Sequence, residues 1–586
     1  MIPELVWTRG ERTLATAARR GGAADDGAAG GRSAGGAAEH GGPGSGGPAG
    51  GGAAGGARAR AGTQPGRAAL VLTCLILVAA VANLNLTVAN VVLPDIGRAF
   101  DAGQTTLDMI AIAYSLGLAG SVLYLGAVGD RYGRKMLLVG GVLLSVPACL
   151  LAAYAPDAAV LVAGRLLGGV SAGMAYPTTL ALITALWSGV ARTQAIALWS
   201  GIGGAVTALG PMLAGLMLQH FWWGSAFLLT LPLAVLALAM AVRFVPAHVN
   251  ETTGRVDNLG GVLSMIFVAA LVITINFAPV PGAGPLAVGT GLLAVVAGAG
   301  FVARQRRARP PLYDLHVAGR RIFWVAALGG IIVFGALMAA IFVGQQYLQD
   351  VLGYSALGSG LAVLPAAVCL VAFAPLSARL VRTRGSRFTL LSGYTFCLLS
   401  FLTMLLLWRE GSSYWVVELA FVFLGAGVGL AGTPASHSLT GSVPTRRAGM
   451  ASGTADLQRD LGGAIMQSVL GALLTAGYAS AVARLVAQAR HRQQITGSVQ
   501  NQLEKSFTGA QAVAQRYPQY TSEITAAAKS AFLAGDQWAY AAAIVAVLLG
   551  AGLVFFMFPR RVAEDRLLAR YHAQDGLAAD PAPGSG

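Results

Sequence analysis

The sequence GAVGDRYGRK, residues 126–135, places one acid and three cations in a turn between two long apolar segments. Gly126, Gly129 and Gly133 permit a close approach of helices and a backbone with positive φ. The carboxylate of Asp130 lies where it can pair with a neighbouring cation or with the end of a helix. A turn that only fixed the orientation of the chain would need neither this acid nor three spaced glycines. We therefore predict a gating motif, which stabilises one conformation over another, made of Gly126, Asp130, Arg131, Gly133, Arg134 and Lys135.

The composition indicates a polytopic membrane protein. Of the 586 residues, 55% are hydrophobic and 11% are charged, whereas soluble domains have about 25% charged residues. The net charge of +15 comes largely from arginines in short loops, which indicates membrane orientation and not nucleic-acid binding. The sequence has neither a G-x-x-x-x-G-K-[ST] nor an H-E-x-x-H pattern, so we expect no ATP-driven step, no metal and no cofactor.

Apolar runs of about 20 residues, the length that crosses the hydrocarbon core, recur over residues 68–558. We predict fourteen membrane helices, at 68–91, 106–128, 136–154, 158–184, 193–219, 224–245, 259–279, 285–304, 322–349, 355–380, 387–408, 415–437, 452–483 and 537–558. Residues 1–66 are rich in Gly and Ala and are expected to form a disordered cytoplasmic tail. Residues 484–536 form a long polar outer loop, in which 499–515 can form surface helices, and residues 559–586 form a second cytoplasmic tail.

The basic residues of the short loops predict the orientation. If both termini are cytoplasmic, the short outer loops hold only Arg98 and Arg409, and the other short-loop arginines lie inside. Arginine, alanine and glycine are abundant while lysine is scarce, which is typical of a GC-rich bacterial genome. We therefore expect a multi-pass protein of the bacterial cytoplasmic membrane.

The pattern G-x-x-x-D-R-x-G-R-K closely resembles the loop between helices 2 and 3 of the major facilitator superfamily. A weaker copy of this basic glycine turn, without its acid, follows helix 10 at residues 377–385. The resemblance implies an all-α fold with two six-helix pseudo-repeats, 68–245 and 322–558, and a substrate site between them at mid-membrane. Helices 7 and 8, residues 259–304, are then two inserted helices.

Helix 4 contains Arg165 within LVAGRLLGGVSAG, where a guanidinium costs about 2.5–3.5 kcal/mol to insert near the centre of the bilayer. It must face a cavity or a partner, unless it extends to the membrane edge. The pattern R-x-x-x-G resembles the helix 4 motif of the superfamily, whose arginine is linked to proton transfer. Gly168 replaces the glutamine that is frequent in that motif.

Helix 5 reads GIGGAVTALGPMLAG over residues 201–215. Its glycines flatten one face for close packing, and its proline removes a backbone donor and bends the helix. The segment resembles the antiporter motif of facilitator exporters, with the core G-P-x-x-x-G, which implies export. The residues of this motif are Gly201, Gly204, Gly210, Pro211 and Gly215.

Helix 1 reads NLNLTVANVVLP over residues 83–94 and resembles the fourteen-helix drug:proton antiporter family, whose pattern is L-D-x-T-x-x-N-x-x-L-P. Asn85 stands at the position of the acid, and Ile112 stands at a second acidic position of cation exporters. A neutral amide cannot balance a buried cation, so we predict that neutral or anionic amphiphiles are handled better than permanent dications. The candidate substrate-cavity residues are Asn85, Asn90, Tyr114, Gln345 and Gln346.

Segments of helices 9 and 13, residues 345–360 and 451–464, resemble the same family. Asp456 and Arg459 lie on one face of helix 13, although acids in a first turn also stabilise a helix without further function. Glu418 is either a proton carrier or an interfacial acid beside aromatic residues. The proton-coupling candidates are Arg165, Glu418, Asp456, Arg459 and Asp108.

These patterns predict a secondary active exporter of amphipathic small molecules that works by alternating access with proton antiport. The missing helix 1 acid favours, as an alternative, an exporter of a neutral lipid or lipid-like metabolite that does not use the usual proton site. A membrane enzyme or non-transporting sensor would need clustered catalytic residues or a signalling domain, and the sequence suggests neither. The expected partners are the substrate, the proton and the lipid bilayer, without nucleic acid or ATP.

Overall fold

The computed structural model describes residues 67–187, 189–247, 256–278, 280, 282–309, 311–444, 448–489 and 495–577, and their regular structure is entirely helical. Fourteen long helices, α1 to α14, are Ala68–Phe100, Gln104–Tyr132, Arg134–Ala153, Ala158–Leu186, Gly189–Leu218, Leu231–Phe244, Asn258–Phe277, Gly284–Arg307, Arg321–Gln346, Leu364–Arg384, Ser386–Leu407, Tyr414–Gly441, Ala448–Gln488 and Thr521–Met557. Shorter helices are Ser225–Leu228, Leu315–Ala318, Tyr347–Val351, Ala356–Ala362, Gly497–Lys505, Phe507–Arg516, Pro518–Tyr520 and Arg561–Leu577.

This architecture confirms the predicted all-α polytopic fold. In the described part of the chain, 13 helical segments are long and apolar enough to cross a membrane. They correspond to all of the predicted spans except the fifth, where α5 contains a shorter apolar stretch, Leu209–Leu218. Predicted tail residues 1–66 and 578–586 lie outside the described residues.

The two ends of the helix bundle differ in the segments that connect the helices. We call the side with the α2–α3 turn the basic side, because Arg131, Arg134 and Lys135 lie there. We call the opposite side, with the α1–α2 turn and the short helices Gly497–Lys505 and Phe507–Arg516, the loop side.

On the loop side, α13 and α14 continue well beyond the length that crosses a bilayer. They contain 41 and 37 residues, against about 20 for a membrane span. The α14 helix begins at Thr521, well before the predicted start at 537. The prediction was late because the first turns of this helix are polar and carry no hydropathy signal. The short helices contact the α1–α2 turn, where Lys505 Nζ lies 3.0 Å from Asp101 Oδ2 and Ser506 Oγ donates to the Ala102 carbonyl at 3.2 Å.

Helix packing divides into two groups. In the first, α2 and α3 pack on α4, and α1 packs on α5 and α6. In the second, α9 and α14 pack on α13, and α10 and α11 pack on α12. The groups meet where α2 packs on α13 and where the short helix Ala356–Ala362 packs on α5. The α7–α8 pair lies at the edge, where α7 packs on α2 and α13.

The helix Arg561–Leu577 is held against the basic side of the second group. Arg320 forms a bidentate ion pair with Asp575, with distances of 2.6 Å and 3.1 Å. The same guanidinium donates to the Ser442 carbonyl at 2.7 Å and lies 4.8 Å from the ring centroid of Tyr571. This helix therefore connects the start of α9 with the end of α12.

Candidate functional site

A cavity of about 600 Å³ lies between the two groups of helices. Its wall comes from α1, α4 and α5 on one side and from α9, α10, α12 and α13 on the other. Most of the lining is apolar, as at Phe334, Met338 and Leu370. We call it the central cavity. Its size and lining are those of pockets that hold drug-sized ligands.

Arg459 is the one charged residue among the described side chains that line the central cavity. Its Nη1 donates to the hydroxyl of Tyr176 at 2.7 Å, and its guanidinium carbon lies 5.4 Å from the ring centroid of Phe334. This hydrogen bond joins α13 to α4, and therefore one helix group to the other. A cation without a carboxylate in the wall favours neutral or anionic ligands over cations.

A second polar group of the wall is an indole donor. Trp199 lies against Tyr176, with ring centroids 5.5 Å apart. Its Nε1 is buried and has no hydrogen-bond partner among the described residues. A buried donor without a partner is costly, so a ligand with an acceptor oxygen would complete this wall. The sequence singled out neither aromatic residue, because an aromatic residue within a long apolar stretch gives no indication of which face meets a cavity.

The α1 asparagines face different surroundings. Asn83 lines the central cavity and its Nδ2 donates to the Gly203 carbonyl at 3.4 Å. The predicted cavity residue Asn85 faces away from it, and its Nδ2 donates to Thr230 Oγ1 at 3.1 Å. Asn90 is buried, and its Oδ1 lacks a partner among the described residues. Asn85, the position that the family resemblance emphasised, is thus turned toward the start of α6, and the side-chain amide of Asn83 meets the central cavity instead.

Arg165 is buried between α1, α2 and α4. Its guanidinium donates to the backbone carbonyl of Asn85 and its Nε donates to that of Ile110 at 3.3 Å. The rings of Tyr114 and Phe227 lie 5.0 Å and 5.7 Å from its guanidinium carbon. The partners of this predicted coupling residue are therefore backbone carbonyls and aromatic rings, and it fixes three helices of the first group relative to one another.

The proline and the later glycines of α5 form the contact between the helix groups on the loop side. A Cβ at Gly215 would lie 2.5 Å from the Ala356 carbonyl oxygen, and one at Gly360 would lie 2.6 Å from that of Pro211. Gly210 faces Thr87 of α1 equally closely. Backbones this close require glycine. The surroundings of Gly201 and Gly204 lie outside the described residues.

Hydrogen bonds also join the groups on the loop side. Gln104 Nε2 donates to Gln346 Oε1 at 2.8 Å and to Asp108 Oδ1 at 3.1 Å. Asp108 Oδ2 accepts from the Thr475 hydroxyl at 3.2 Å. Gln349 Nε2 donates to the Val91 carbonyl at 3.0 Å. These contacts link α2 with α9 and α13, and they close the loop side above the central cavity.

The remaining candidates lie outside the lining of the central cavity. Tyr114 donates its hydroxyl to the Ala82 carbonyl at 3.0 Å, and Gln345 Nε2 donates to the Ser359 carbonyl at 2.8 Å. Asp456 is buried one helical turn before Arg459, and Glu418 is buried near the loop-side end of α12. Of the carboxylates considered for coupling, Asp108 is thus the one whose described hydrogen bonds connect both groups.

The gating motif shapes the α2–α3 turn. Gly133 has φ of +118°, which favours glycine. Arg134 Nη1 donates to the Ala181 carbonyl at 3.1 Å, and Lys135 Nζ donates to the Val242 carbonyl at 2.9 Å. These cations thus contact α4 and the end of α6. The side chain of Asp130 lies outside the described residues, so its role stays a prediction.

The two earlier glycines of the motif differ. A Cβ at Gly129 would lie 2.8 Å from Leu137 Cδ2, so α2 and α3 approach closely there. At Gly126 a Cβ would meet nothing within 4 Å. The expected close approach therefore occurs at Gly129 and not at Gly126.

Comparison with known proteins identifies the family. Residues 75–467 match the Major Facilitator Superfamily. The chain is similar to the multidrug efflux pump LfrA of Mycolicibacterium smegmatis, with 33% identity over 85% of this chain and 97% of that protein. It is also similar to the multidrug resistance protein Stp of Mycobacterium tuberculosis, with 32% identity over 67% of this chain and 73% of that protein.

A similar fold occurs among solved structures. A bacterial homologue of the human lysosomal transporter Spinster, in an inward-facing and unoccupied conformation, aligns with a TM-score of 0.57. The alignment covers 87% of this chain and 99% of that chain at 16% identity. At this identity the likeness concerns the fold.

Proposed function

The chain belongs to the Major Facilitator Superfamily, and we propose that it is a secondary active exporter of amphipathic small molecules such as drugs, antibiotics or metabolites. Alternating access moves the substrate from the central cavity to the other side of the membrane. Proton antiport supplies the energy, since each charge that crosses gains about 2.3 kcal/mol per 100 mV.

The central cavity is the observation that carries this proposal. It lies between two helix groups, is mostly apolar and contains one cation. The close contacts of Gly215 and Gly360 seal it on the loop side. A cavity bounded by two rigid groups with a closed contact on one side is the arrangement that alternating access requires.

The proposal includes a membrane orientation and a domain division. The basic side faces the cytoplasm of a bacterium, because short loops rich in arginine stay on the cytoplasmic side. The two halves are 68–245 and 322–558, and the α7–α8 pair, 259–304, is inserted between them. This assignment makes the loop side the outer side.

A second candidate, export of a neutral lipid-like metabolite, is favoured by the wall of the central cavity. The described lining contains Arg459 and no carboxylate. The Nε1 of Trp199, which has no hydrogen-bond partner among the described residues, would donate to an uncharged acceptor as well as to an anion. The substrate charge therefore distinguishes this candidate from a cationic drug exporter.

The test is transport by the purified protein in reconstituted vesicles. With a pH gradient imposed, we expect uptake of neutral or anionic amphiphiles into inverted vesicles, together with counterflow of protons. In resistance assays, strong protection against a dicationic biocide would contradict the predicted charge preference. Substrate uptake without proton flux would favour the second candidate over proton antiport.

A further inference from the structure

A second cavity, of about 700 Å³, lies on the loop side and is separate from the central cavity. Its wall comes from the end of α13, from the short helices Gly497–Lys505 and Phe507–Arg516, and from the start of α14. The lining is mainly aliphatic, as at Val482, Val486, Val499, Leu503 and Ile524. We call it the loop-side cavity.

The position of this cavity makes its apolar lining unusual. Tyr478 lies 19 residues after Arg459 on the same helix, which is about 29 Å at 1.5 Å per residue. That distance nearly equals the thickness of a hydrocarbon core, and Arg459 is already 11 residues beyond the start of α13 on the basic side. The loop-side cavity is therefore at or beyond the outer membrane boundary, where water would otherwise contact its aliphatic wall. An apolar ligand would remove that surface from water.

One buried polar group of the wall lacks a hydrogen-bond partner among the described residues. Tyr478 lines the cavity and is 3% exposed, and its hydroxyl has no hydrogen bond with any described residue. The other polar lining residues are grouped at 517–523, and Glu523 is the only charged residue among the described lining. The wall thus combines a long apolar surface with hydrogen-bonding groups and one negative charge.

We propose that the loop-side cavity is a second binding site, which receives the exported molecule after it leaves the central cavity. This inference rests on the proposed export function, because it takes the exported amphiphile as the occupant. Among the described lining residues, the charged one is Arg459 in the central cavity and Glu523 in the loop-side cavity. A neutral molecule would avoid charge repulsion in either cavity, so it suits both cavities better than an ion does. The occupant is therefore a neutral amphiphile with an apolar chain and a hydroxyl or amide head.

The experiment uses the full chain in lipid nanodiscs and a diazirine-bearing long-chain primary alcohol as the probe. After irradiation, peptide mapping locates the labelled residues. We expect saturable labelling within 482–489 and 499–513, displaced by the unlabelled alcohol, in addition to labelling at the central cavity. Absence of saturable labelling at the loop side would overturn the proposal, and so would a co-purified phospholipid or protein there that the alcohol cannot displace.

Two variants and one matched control separate binding from folding. Val499→Trp fills the loop-side cavity and should abolish labelling there while leaving labelling at the central cavity unchanged. Tyr478→Phe keeps the shape of the wall but removes a hydroxyl, and should weaken binding by about threefold to tenfold. The control is Tyr540→Phe, because that hydroxyl is also buried without a described partner but lies outside the lining of this cavity. Equal labelling in Tyr478→Phe, Val499→Trp and the unmodified protein would overturn the proposal.

Transport assays distinguish failure of this inference from failure of the proposed function. Export of the alcohol by vesicles whose protein shows no loop-side labelling would refute the second site and leave the export function intact. Saturable loop-side labelling of a protein that exports no amphiphile would refute the function and its exit route, while the binding site itself would stand.

Discussion

Two arginines of the membrane helices, the buried Arg165 and the half-buried Arg459, illustrate how surroundings determine the role of one side chain. Arg165 donates to backbone carbonyls of α1 and α2 and lies between two aromatic rings. Arg459 lines the central cavity and makes its described side-chain hydrogen bond to Tyr176. A guanidinium has five donors, so Arg459 can bind a ligand while it keeps this bond. Of the two, Arg459 is the one placed to contact substrate.

Replacement of Arg459 by glutamine should alter charge selectivity. Hydrogen bonds to charged groups contribute about 1.5–3 kcal/mol, so we expect the apparent affinity for an anionic amphiphile to fall by about tenfold to a hundredfold. Affinity for a neutral analogue should change much less. Uptake by reconstituted vesicles over a range of substrate concentrations provides the measurement. Arg459→Lys, which keeps the charge, should retain part of the preference, and an equal loss for both substrates would contradict the assignment.

The asparagines of α1 show why the lining of the cavity was harder to predict than the helices. Successive residues of a helix are about 100° apart, so residues two apart point to nearly opposite sides. Asn83 meets the central cavity and Asn85 meets Thr230. Since apolar residues surround these asparagines on every face of α1, the hydropathy of the helix gives its length but does not indicate which face is inside. The packing of α1 against other helices determines that face, and the sequence of α1 alone holds no information about this packing.

At the scale of helices, closure of the loop side depends on glycine contacts between α5 and the turn Ala356–Ala362. Gly360→Ala would place a Cβ 2.6 Å from the Pro211 carbonyl oxygen, which the closed contact cannot accommodate. We expect the variant to populate a conformation open on the loop side and to transport poorly. The distance between spin labels at Gln219 and Ser413, both exposed on the loop side, should increase.

Gly120→Ala is the matched control for this variant, because a Cβ at Gly120 would meet no atom of the described residues within 4 Å. It should keep the spin-label distance and the transport rate of the unmodified protein. If Gly360→Ala also keeps both, the α5 contact does not govern closure.

The α7–α8 pair contains a carboxylate whose titration can be followed. Burial alone would raise the pKa of Asp257, but hydrogen bonds from Arg304, the Gly260 amide and Gln305, with the charge of Arg304, hold it below its usual value. The ionised carboxylate therefore stabilises the folded state above its unfolded pKa of about 3.9. This contribution is lost as the pH falls through the lower folded-state pKa.

We expect Asp257→Asn to lower the unfolding temperature at neutral pH, and the difference from the unmodified protein to disappear as the medium is acidified below about pH 3.9. Thermal unfolding at a series of pH values measures this difference. Asp157→Asn, at the N-cap of α4 where the carboxylate accepts from the Val160 amide at 2.8 Å, is the control for loss of charge at an N-cap, because asparagine also caps helices. A difference that persists unchanged in acid would contradict the assigned role of Arg304.

At the scale of the whole molecule, the sequence predicted the fold and the possibility of helices within 499–515, but it missed the early start of α14 and the packing of the loop side. The apolar runs and the glycine motifs identified the helices, because each span must satisfy its own backbone inside a membrane. The first turns of α14 and the short helices Gly497–Lys505 and Phe507–Arg516 are polar or mixed. They are stabilised by contacts with distant segments, such as that between Lys505 and Asp101. Such contacts leave no periodic signal in the local sequence.

The proposed proton coupling requires a carboxylate that influences the contact between the helix groups. Asp108 accepts from Gln104 and Thr475, which lie on α2 and α13. Protonation would remove acceptor capacity and weaken this connection, so proton binding from outside would favour opening of the loop side. Asp456 lies near the cavity, one turn from Arg459, and can respond to substrate instead. In the proposed antiport cycle, Asp108 is thus placed to respond to protons on the loop side and Asp456 to substrate in the central cavity.

Neutralisation of these acids should separate coupling from access. We expect Asp108→Asn and Asp456→Asn each to abolish uptake driven by a pH gradient in inverted vesicles. Substrate exchange at zero gradient should persist, because exchange requires access switching but no net proton movement. Glu418→Gln is the third variant, since Glu418 is a buried acid of α12 outside the lining of the central cavity. If the three single variants and their combination keep gradient-driven uptake, the protein is not coupled to protons through these carboxylates, and a neutral substrate moving down its own gradient becomes the better account.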